Sequence, residues 1–274
     1  MAMFIMLRCP KCGEKLTDEG RSFICPNHHC YDKAKSGYVN LLLSNQMKTK
    51  LPGDNKLMVQ ARKSFLDKGY YEILAKTLQN SVKEHAFAGC KILDAGCGEG
   101  YYTEKIGEAV SGIASEIVGI DISKCAAEYA ARRTKSALFA VASVFRLPIE
   151  TESCDILTTL FAPYCGEEFQ RVLKREVTMI MVIPSERHLW QLKCAVYDEP
   201  YQNDVKSFDL SGFELIKRDT ICGNIDISCN EDIISLFSMT PYFYKTSEEN
   251  QQRLVKIESL TTEIGFEMLT YKKL

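Results

Sequence analysis

Two clusters in the 274-residue chain have residue types and spacing that could do chemistry. The first begins with Cys9-Pro-Lys-Cys12, with Cys25 after a twelve-residue gap and His28, His29 and Cys30 just beyond. Zinc takes four nitrogen or sulfur ligands in a tetrahedron, and two close pairs across a short loop supply them. Cys9, Cys12 and Cys25 are three of the set; His28, His29 and Cys30 each have workable spacing for the fourth. A closed four-ligand site leaves no position for substrate, so a metal here is structural. The second cluster is the run Lys91-Ile-Leu-Asp94-Ala, which enters Gly96-Cys97-Gly98-Glu99-Gly100 before a helix opening at Tyr101. Glycines at a strand-to-helix turn let a ligand approach the backbone. The next extended run ends in Asp121, the acidic residue expected about 20 positions on to grip ribose hydroxyls. A dinucleotide fingerprint, G-x-G-x-x-G, would need glycine at position 101, where this chain has Tyr101. Glu99 at a helix start would repel a phosphate and suits a cationic ligand instead.

The elements that must hold these residues follow a βαβ pattern. Strands are expected over 91–95, 116–121, 137–142, 154–161 and 177–183, with helices over 101–110, 124–133 and 167–173. Apolar β-rich runs alternating with helices imply a parallel sheet covered on both faces, an α/β fold. Upstream, Asp54 is placed to cap a helix whose inner face carries Leu57, Met58, Ala61, Phe65 and Leu66, with Gly69 ending it and a second helix over 71–82. Extended runs at 214–222 and 267–273 flank helical segments near 230–238 and 248–258 and read as a hairpin added at the end of the sheet. The boundaries expected are a zinc-binding module over 1–43, a connector with helices over 44–88, and the main domain over 89–274.

Composition narrows the setting. A chain 46% hydrophobic and 26% charged is too apolar for disorder, and no run approaches the roughly 20 apolar residues that span a bilayer. Met1–Leu7 is apolar but short, and lacks a basic n-region and a small-residue cleavage site, so it does not read as a signal peptide. Eight of the twelve cysteines are scattered singly, which suits a reducing, cytoplasmic compartment and favours a metal over disulfides at the front. Residues 1–70 hold twelve Lys/Arg against six Asp/Glu, leaving the rest at −8 in a chain of net charge −2. A basic front on an acidic body suits a polyanionic partner, although lysines also serve simply to solubilise a small module.

The stretch Asp94-x-Gly96-x-Gly98-x-Gly100 resembles motif I of class I S-adenosylmethionine-dependent methyltransferases, a Rossmann-like fold. Ala142-Ser143, ahead of Arg146-Leu147-Pro148, is similar to the loop that borders adenine there. A longer likeness runs through Cys9-Pro-x-Cys12, Phe23-Ile-Cys25-Pro, Tyr31-Asp32-x-Ala34-Lys35-x-Gly37-Tyr38, Pro52-Gly53-Asp54 and Met58-x-x-Ala61-Arg62-x-x-Phe65-Leu66-x-x-Gly69-x-Tyr71. It continues in Arg187-His188-Leu189 and Met239-Thr240-Pro241. Together these resemble the large-subunit (23S) ribosomal RNA guanine-N1 methyltransferases. The resemblance implies His29 as fourth zinc ligand, cofactor contacts from Tyr71, Gly98, Glu99 and His188, a hairpin of 23S rRNA as partner, and a homodimer that clasps RNA between two zinc modules. One departure stands out: Leu173-Lys-Arg-Glu-Val177 takes the place of a Pro-Gly-Gly turn common in the family. Guanine N1 must lose a proton during attack. His188 and the polar residues around Phe161–Tyr164 lie near the right sheet edge, but no spacing selects a base. Two other readings are a methyltransferase of small molecules, which the basic front disfavours, and a non-catalytic zinc-knuckle RNA-binding protein, which the intact glycine loop disfavours.

Overall fold

A computed structural model of the protein describes residues 6–47, 49, 52–205 and 208–274. Lys48 and Lys50, counted in the basic front, and most of the Met1–Leu7 run lie outside the described residues. The front is a three-stranded antiparallel sheet of β1 (Thr17–Asp18), β2 (Ser22–Ile24) and β3 (Cys30–Asp32). Phe23, fully buried, anchors it from the inward side of β2. Then follow β4 (Val39–Asn40) and the helices α1 (Lys56–Asp67) and α2 (Glu72–His85). Asn55, not Asp54, caps α1: its side-chain oxygen accepts the Met58 N–H at 3.0 Å. Asp54 instead turns its carboxylate to Arg62 at 2.5 Å, so the charge goes into a cross-link rather than into the helix start. Met58, Phe65 and Leu66 are buried as the periodicity requires, but Leu57 is 71% exposed.

The remaining elements are β5 (Lys91–Ala95), α3 (Tyr101–Ala109), β6 (Glu116–Asp121), α4 (Lys124–Arg133), β7 (Leu138–Val141), β8 (Cys154–Leu160), α5 (Gly166–Val172), β9 (Leu173–Pro184), α6 (Trp190–Val196), β10 (Phe213–Ile227), α7 (Asn230–Ser238), α8 (Glu248–Leu254) and β11 (Leu260–Lys273). The main sheet has the order β10-β11-β9-β8-β5-β6-β7-β4. Strands β4 to β9 within it are parallel neighbours; β11 runs antiparallel to β9, and β10 to β11. The two late runs do form a hairpin, but it is nearly twice the expected length and the later strand lies inside. Burial explains the order: β11 is buried along most of its length, whereas β10 is largely exposed and takes the edge. Strand β9 also begins earlier than expected. Leu173 pairs with Cys154 and Thr178 with Ile156, so the residues between bulge out, with Glu176 at φ 61°. That bulge occupies the place of the family's turn.

From β5 the chain steps to β6 and β7 on one side, and from β8 to β9 on the other. Ligands of open α/β sheets bind beyond the carboxyl ends of the strands at such a reversal. Two further contacts matter to the site. Helix α1 lies against α4 and α7 and roofs that end of the sheet, tied down where Ser123 Oγ donates to the Asp54 carbonyl at 2.7 Å. The front module is fused to the other edge: Val39 pairs with Ala140, the Leu41 N–H donates to the Val141 carbonyl at 2.9 Å, and Leu7 bridges Ile149. Met6, Leu7, Leu16 and Phe23 pack in one apolar core with Leu138, Leu147, Ile149 and Cys154. No helix among the described residues is long and apolar enough to cross a membrane.

Candidate active site and metal centre

Two knuckles bring the front cysteines together. The Cys9 N–H donates to the Glu14 carbonyl and the Gly13 N–H to the Cys9 carbonyl, and the Cys25 N–H donates to the His29 carbonyl. His28 takes a left-handed backbone, φ 58°, at the tip of the second knuckle, which leaves it exposed while His29 turns inward. Ligand atoms of Cys9, Cys12, Cys25 and His29 all lie within 4.8 Å of one another. Zinc held at about 2.3 Å from sulfur and 2.0–2.1 Å from nitrogen puts neighbouring ligands about 3.5–3.8 Å apart. The edges here are 3.6 Å between Cys12 and Cys25 sulfurs, and 3.4 Å from His29 Nδ1 to the sulfurs of Cys9 and Cys25. The donor set fits zinc. Cys30 is exposed and outside the cluster. A hydrogen bond from the Glu14 backbone lowers the Cys12 thiol to about 6, whereas burial raises Cys25. A bound dication overrides such differences by favouring the thiolate throughout. Tyr31 Oη stands 3.1 Å from Cys9 Sγ and supports that ligand from outside.

The glycine loop opens on a cleft of about 690 Å³ under α1, between the ends of β5, β6 and β8. Of the residues expected to bind cofactor, Tyr71, Asp94, Gly96, Gly98, Glu99, Asp121, Ser143 and His188 line it. Gly100 and Ala142 stand behind its wall: a Cβ on Gly100 would meet Ala130 at 2.8 Å, and Ala142 is buried with its N–H on the Asp121 carbonyl. Gly98 is the open one, with only Arg62 Nη1 near its missing Cβ, at 3.7 Å. Asp121 accepts the N–H groups of Ser123 at 2.7 Å and Gly98 at 3.0 Å, which fixes the carboxylate and leaves lone pairs for ribose hydroxyls. Asp94 is held beneath by the hydroxyls of Thr103 and Thr158, at 2.5 and 2.9 Å. Glu99 is buried against Arg133, at 3.3 Å. Burial raises all three carboxyls, Asp94 to about 6. With Asp54 they line the cleft in acid, which suits a cationic sulfonium and ammonium and opposes a phosphate. The Tyr102 hydroxyl, buried at the same wall, has no hydrogen-bond partner among the described residues. An open glycine face, an acid lining and an orphaned hydroxyl fit S-adenosylmethionine.

His188 is buried beside Tyr71, whose hydroxyl lies 3.4 Å from its Nε2. Its Nδ1 accepts the Gly265 N–H at 3.3 Å, so Nε2 carries the proton, and burial pulls its pKa down to about 3. A neutral imidazole with its proton on the nitrogen nearest the Tyr71 hydroxyl is a donor there. Tyr164 packs edge-on against Phe169, while Phe161, Ala162 and Pro163 of the same run line the cleft.

Sequence reasoning passed over Arg62, Tyr102, Phe145, Phe161 and Tyr242, all of which line the cleft. Phe145 and Phe161 are 61% and 45% exposed, large aromatic faces at the cleft mouth, although one side of Phe161 meets the Phe266 ring at 5.7 Å. Phe161 also has φ 55°, a conformation costly for a bulky residue and concentrated at functional sites. Arg62 and the Met239-Thr240-Pro241 run were visible only as parts of family strings; nothing local marked them as cleft residues.

Against known proteins, a family model described as the RlmA N-terminal zinc ribbon matches residues 7–50, and a methyltransferase-domain model matches 86–208. The 23S rRNA (guanine(748)-N(1))-methyltransferase of Streptomyces fradiae is 35% identical over 68% of this chain and 66% of its own length. A protein of Micromonospora griseorubida, provisionally named a 23S rRNA (guanine-N(1)-)-methyltransferase, is 32% identical over 68% of both chains. YxjB of Bacillus subtilis strain 168, with the same provisional name, is 27% identical over 97% of this chain and 96% of its own. The two models take in the zinc cluster and the glycine loop respectively, and the chain belongs to the zinc-ribbon, S-adenosylmethionine-dependent 23S rRNA guanine-N1 methyltransferase family.

Proposed function

We propose that this protein methylates N1 of a guanine in a hairpin of 23S rRNA, with the zinc ribbon holding the RNA. The observation that carries the proposal is the loop over 143–149. Ser143, Val144 and Phe145 line the cofactor cleft, while Arg8 N–H donates to the Pro148 carbonyl and Leu7 bridges Ile149. Arg171 braces the same loop through the Leu147 and Ile149 carbonyls, at 2.8 and 2.7 Å. RNA bound on the ribbon is therefore a few residues of stiff backbone from the reacting centre.

N1 lies on the Watson–Crick edge, so the guanine must leave its pair or stack, which a hairpin loop permits at low cost. Phe145 and Phe161 supply faces for the displaced base, worth about 1–3 kcal/mol per stacked base. Arg146, exposed beside Phe145, suits a flanking phosphate. S-adenosylmethionine supplies an electrophilic methyl on sulfur. The chain's part is to align acceptor and methyl and to keep them dry, and such positioning can supply most of the rate. The proton on His188 Nε2 and the hydroxyl of Tyr71 keep that wall a donor surface.

Beyond the three cysteines of the zinc set, the other nine form no disulfide with one another, which supports action in a reducing cytoplasm. We also propose a homodimer, in which two ribbons grip one RNA; sedimentation equilibrium should give twice the 31.0 kDa chain mass. The activity test is incubation with methyl-labelled cofactor and 23S rRNA fragments, then digestion and mass spectrometry. N1-methylguanosine from a single hairpin is expected. Label on another base, on ribose or on transfer RNA refutes the substrate while leaving methyl transfer intact.

A further inference from the structure

S-adenosylmethionine has a cationic sulfur and an ammonium, which the acid lining answers, but it also has a carboxylate. That carboxylate needs a donor, preferably charged. Among the described residues lining the cleft, Arg62 is the one cation, since His188 is neutral. It stands on α1 above the glycine loop, with Nη1 at 3.7 Å from where a Cβ of Gly98 would project. Two contacts fix the guanidinium: Nη1 pairs with Asp54 at 2.5 Å and Nη2 donates to the Met239 carbonyl at 3.3 Å. A guanidinium has five N–H donors, so three remain. Three carboxylates, Asp54, Glu99 and Asp121, act on this single positive charge, which keeps it ionised and its orientation stiff.

Tyr102 is the second observation. It comes from the first turn of α3, lines the same cleft, and feels the charges of Arg62 and Glu99. Its hydroxyl is shut away from solvent and bonded to nothing among the described residues. Buried hydroxyls left unpaired are destabilising, and such exceptions call for a missing partner. A carboxylate oxygen is the acceptor it lacks.

We propose that Arg62 and the Tyr102 hydroxyl together bind the α-carboxylate at the methionine end of the cofactor. The proposal rests on S-adenosylmethionine occupying the cleft and adds which side chains read its amino-acid end. It makes Asp54 a positioning residue, whose pairing aims the guanidinium over Gly98. It also gives the arginine of α1 a use that neither the zinc ribbon nor the RNA requires.

Calorimetry on the full chain tests this with three ligands: S-adenosylhomocysteine, its decarboxylated analogue, and 5′-methylthioadenosine, which lacks the amino-acid end. The wild type should prefer S-adenosylhomocysteine to the decarboxylated analogue by about 10- to 100-fold, the range of a charge-assisted pair. Arg62→Gln should cut that preference to within about threefold and leave 5′-methylthioadenosine binding unchanged. Tyr102→Phe should lower the preference by a smaller factor, again without touching 5′-methylthioadenosine. If Arg62→Gln weakens all three ligands equally, or keeps the wild-type preference, the arginine is only a brace between Asp54 and Met239, and the proposal is wrong. Should Arg62→Gln not fold, the wild-type ratio and Tyr102→Phe decide, and a wild-type ratio near one overturns it. A wild type that binds 5′-methylthioadenosine without this preference fails here alone; one that binds none of the three fails at the cofactor itself.

Discussion

Alanine at Gly98 and alanine at Gly100, two positions apart in one loop, should damage the protein in different ways. Both glycines are left-handed, at φ 55° and 87°, where an L-residue costs about 1–2 kcal/mol. At Gly98 little is added to that strain, because the new Cβ meets only Arg62 Nη1, at an ordinary 3.7 Å. At Gly100 it would come within 2.8 Å of both Cα and Cβ of Ala130 on α4. Ala130 is fully buried and cannot swing aside, so overpacking adds about 1–3 kcal/mol. Gly100→Ala should therefore lose about 2–5 kcal/mol, a large share of the roughly 5–15 kcal/mol that holds a typical domain. Gly98→Ala should lose about 1–2 kcal/mol and stay folded, but its methyl enters the space through which the cofactor approaches. Urea unfolding with and without S-adenosylhomocysteine separates the two effects. At a hundred times its dissociation constant the ligand adds about 2.7 kcal/mol to the wild type. Gly98→Ala should forfeit at least half of that increment, while Gly100→Ala should keep it on a curve displaced to lower urea. Equal stability of the two variants, or a full ligand increment in Gly98→Ala, would refute the division of the loop into one open glycine and one packed glycine.

Three further outcomes are expected. Purified protein should carry one zinc per chain; because the front shares its apolar core with the main sheet, Cys12→Ser should release the metal and lower one common melting transition. Metal retained in His29→Ala but lost in Cys30→Ser would sink the ligand set. His188 is held neutral with its pKa near 3, against an ordinary value near 6.5, so below about pH 6.5 the unfolded chain takes up a proton that the fold refuses. Stability should fall with acid by roughly 3 kcal/mol at pH 4 from this group, and His188→Gln should flatten that limb in urea midpoints from pH 7 to 4; parallel limbs would contradict the assignment. Lys11, Lys15 and Lys35 carry no ion pair among the described residues, whereas Lys33 is paired with Asp18 at 2.5 Å. Reversing the first three to Glu should weaken RNA binding and flatten its salt slope by about 0.7–0.9 for each phosphate no longer neutralised, with a smaller effect at Lys33; an unchanged slope assigns these lysines to solubility alone.

Much of the scaffold is legible in the amino-acid order because it is local. The strands 91–95 and 116–121 and the helices 124–133 and 230–238 have the expected bounds, since apolar period and caps specify them within a few residues. The glycine loop and three of the clustered cysteines could be picked out for the same reason: their chemistry is written in short spacings. What only the tertiary structure decided involves residues far apart in the chain. Which of His28, His29 and Cys30 faces the cysteines depends on a left-handed turn at His28 that their spacing does not encode. Asn55 displaced Asp54 as the cap because Arg62, about two turns further along, competes for the carboxylate. The late hairpin put β11 inside because burial against β9, whose Pro184 pairs with Phe266 and Thr178 with Lys272, outweighs sequence order. Arg62, Tyr102, Phe145 and Phe161 come from separate elements and share a cleft only after α1 closes over the sheet. Periodicity reports which way a side chain faces along its own element; what it faces is set by the packing of elements against one another.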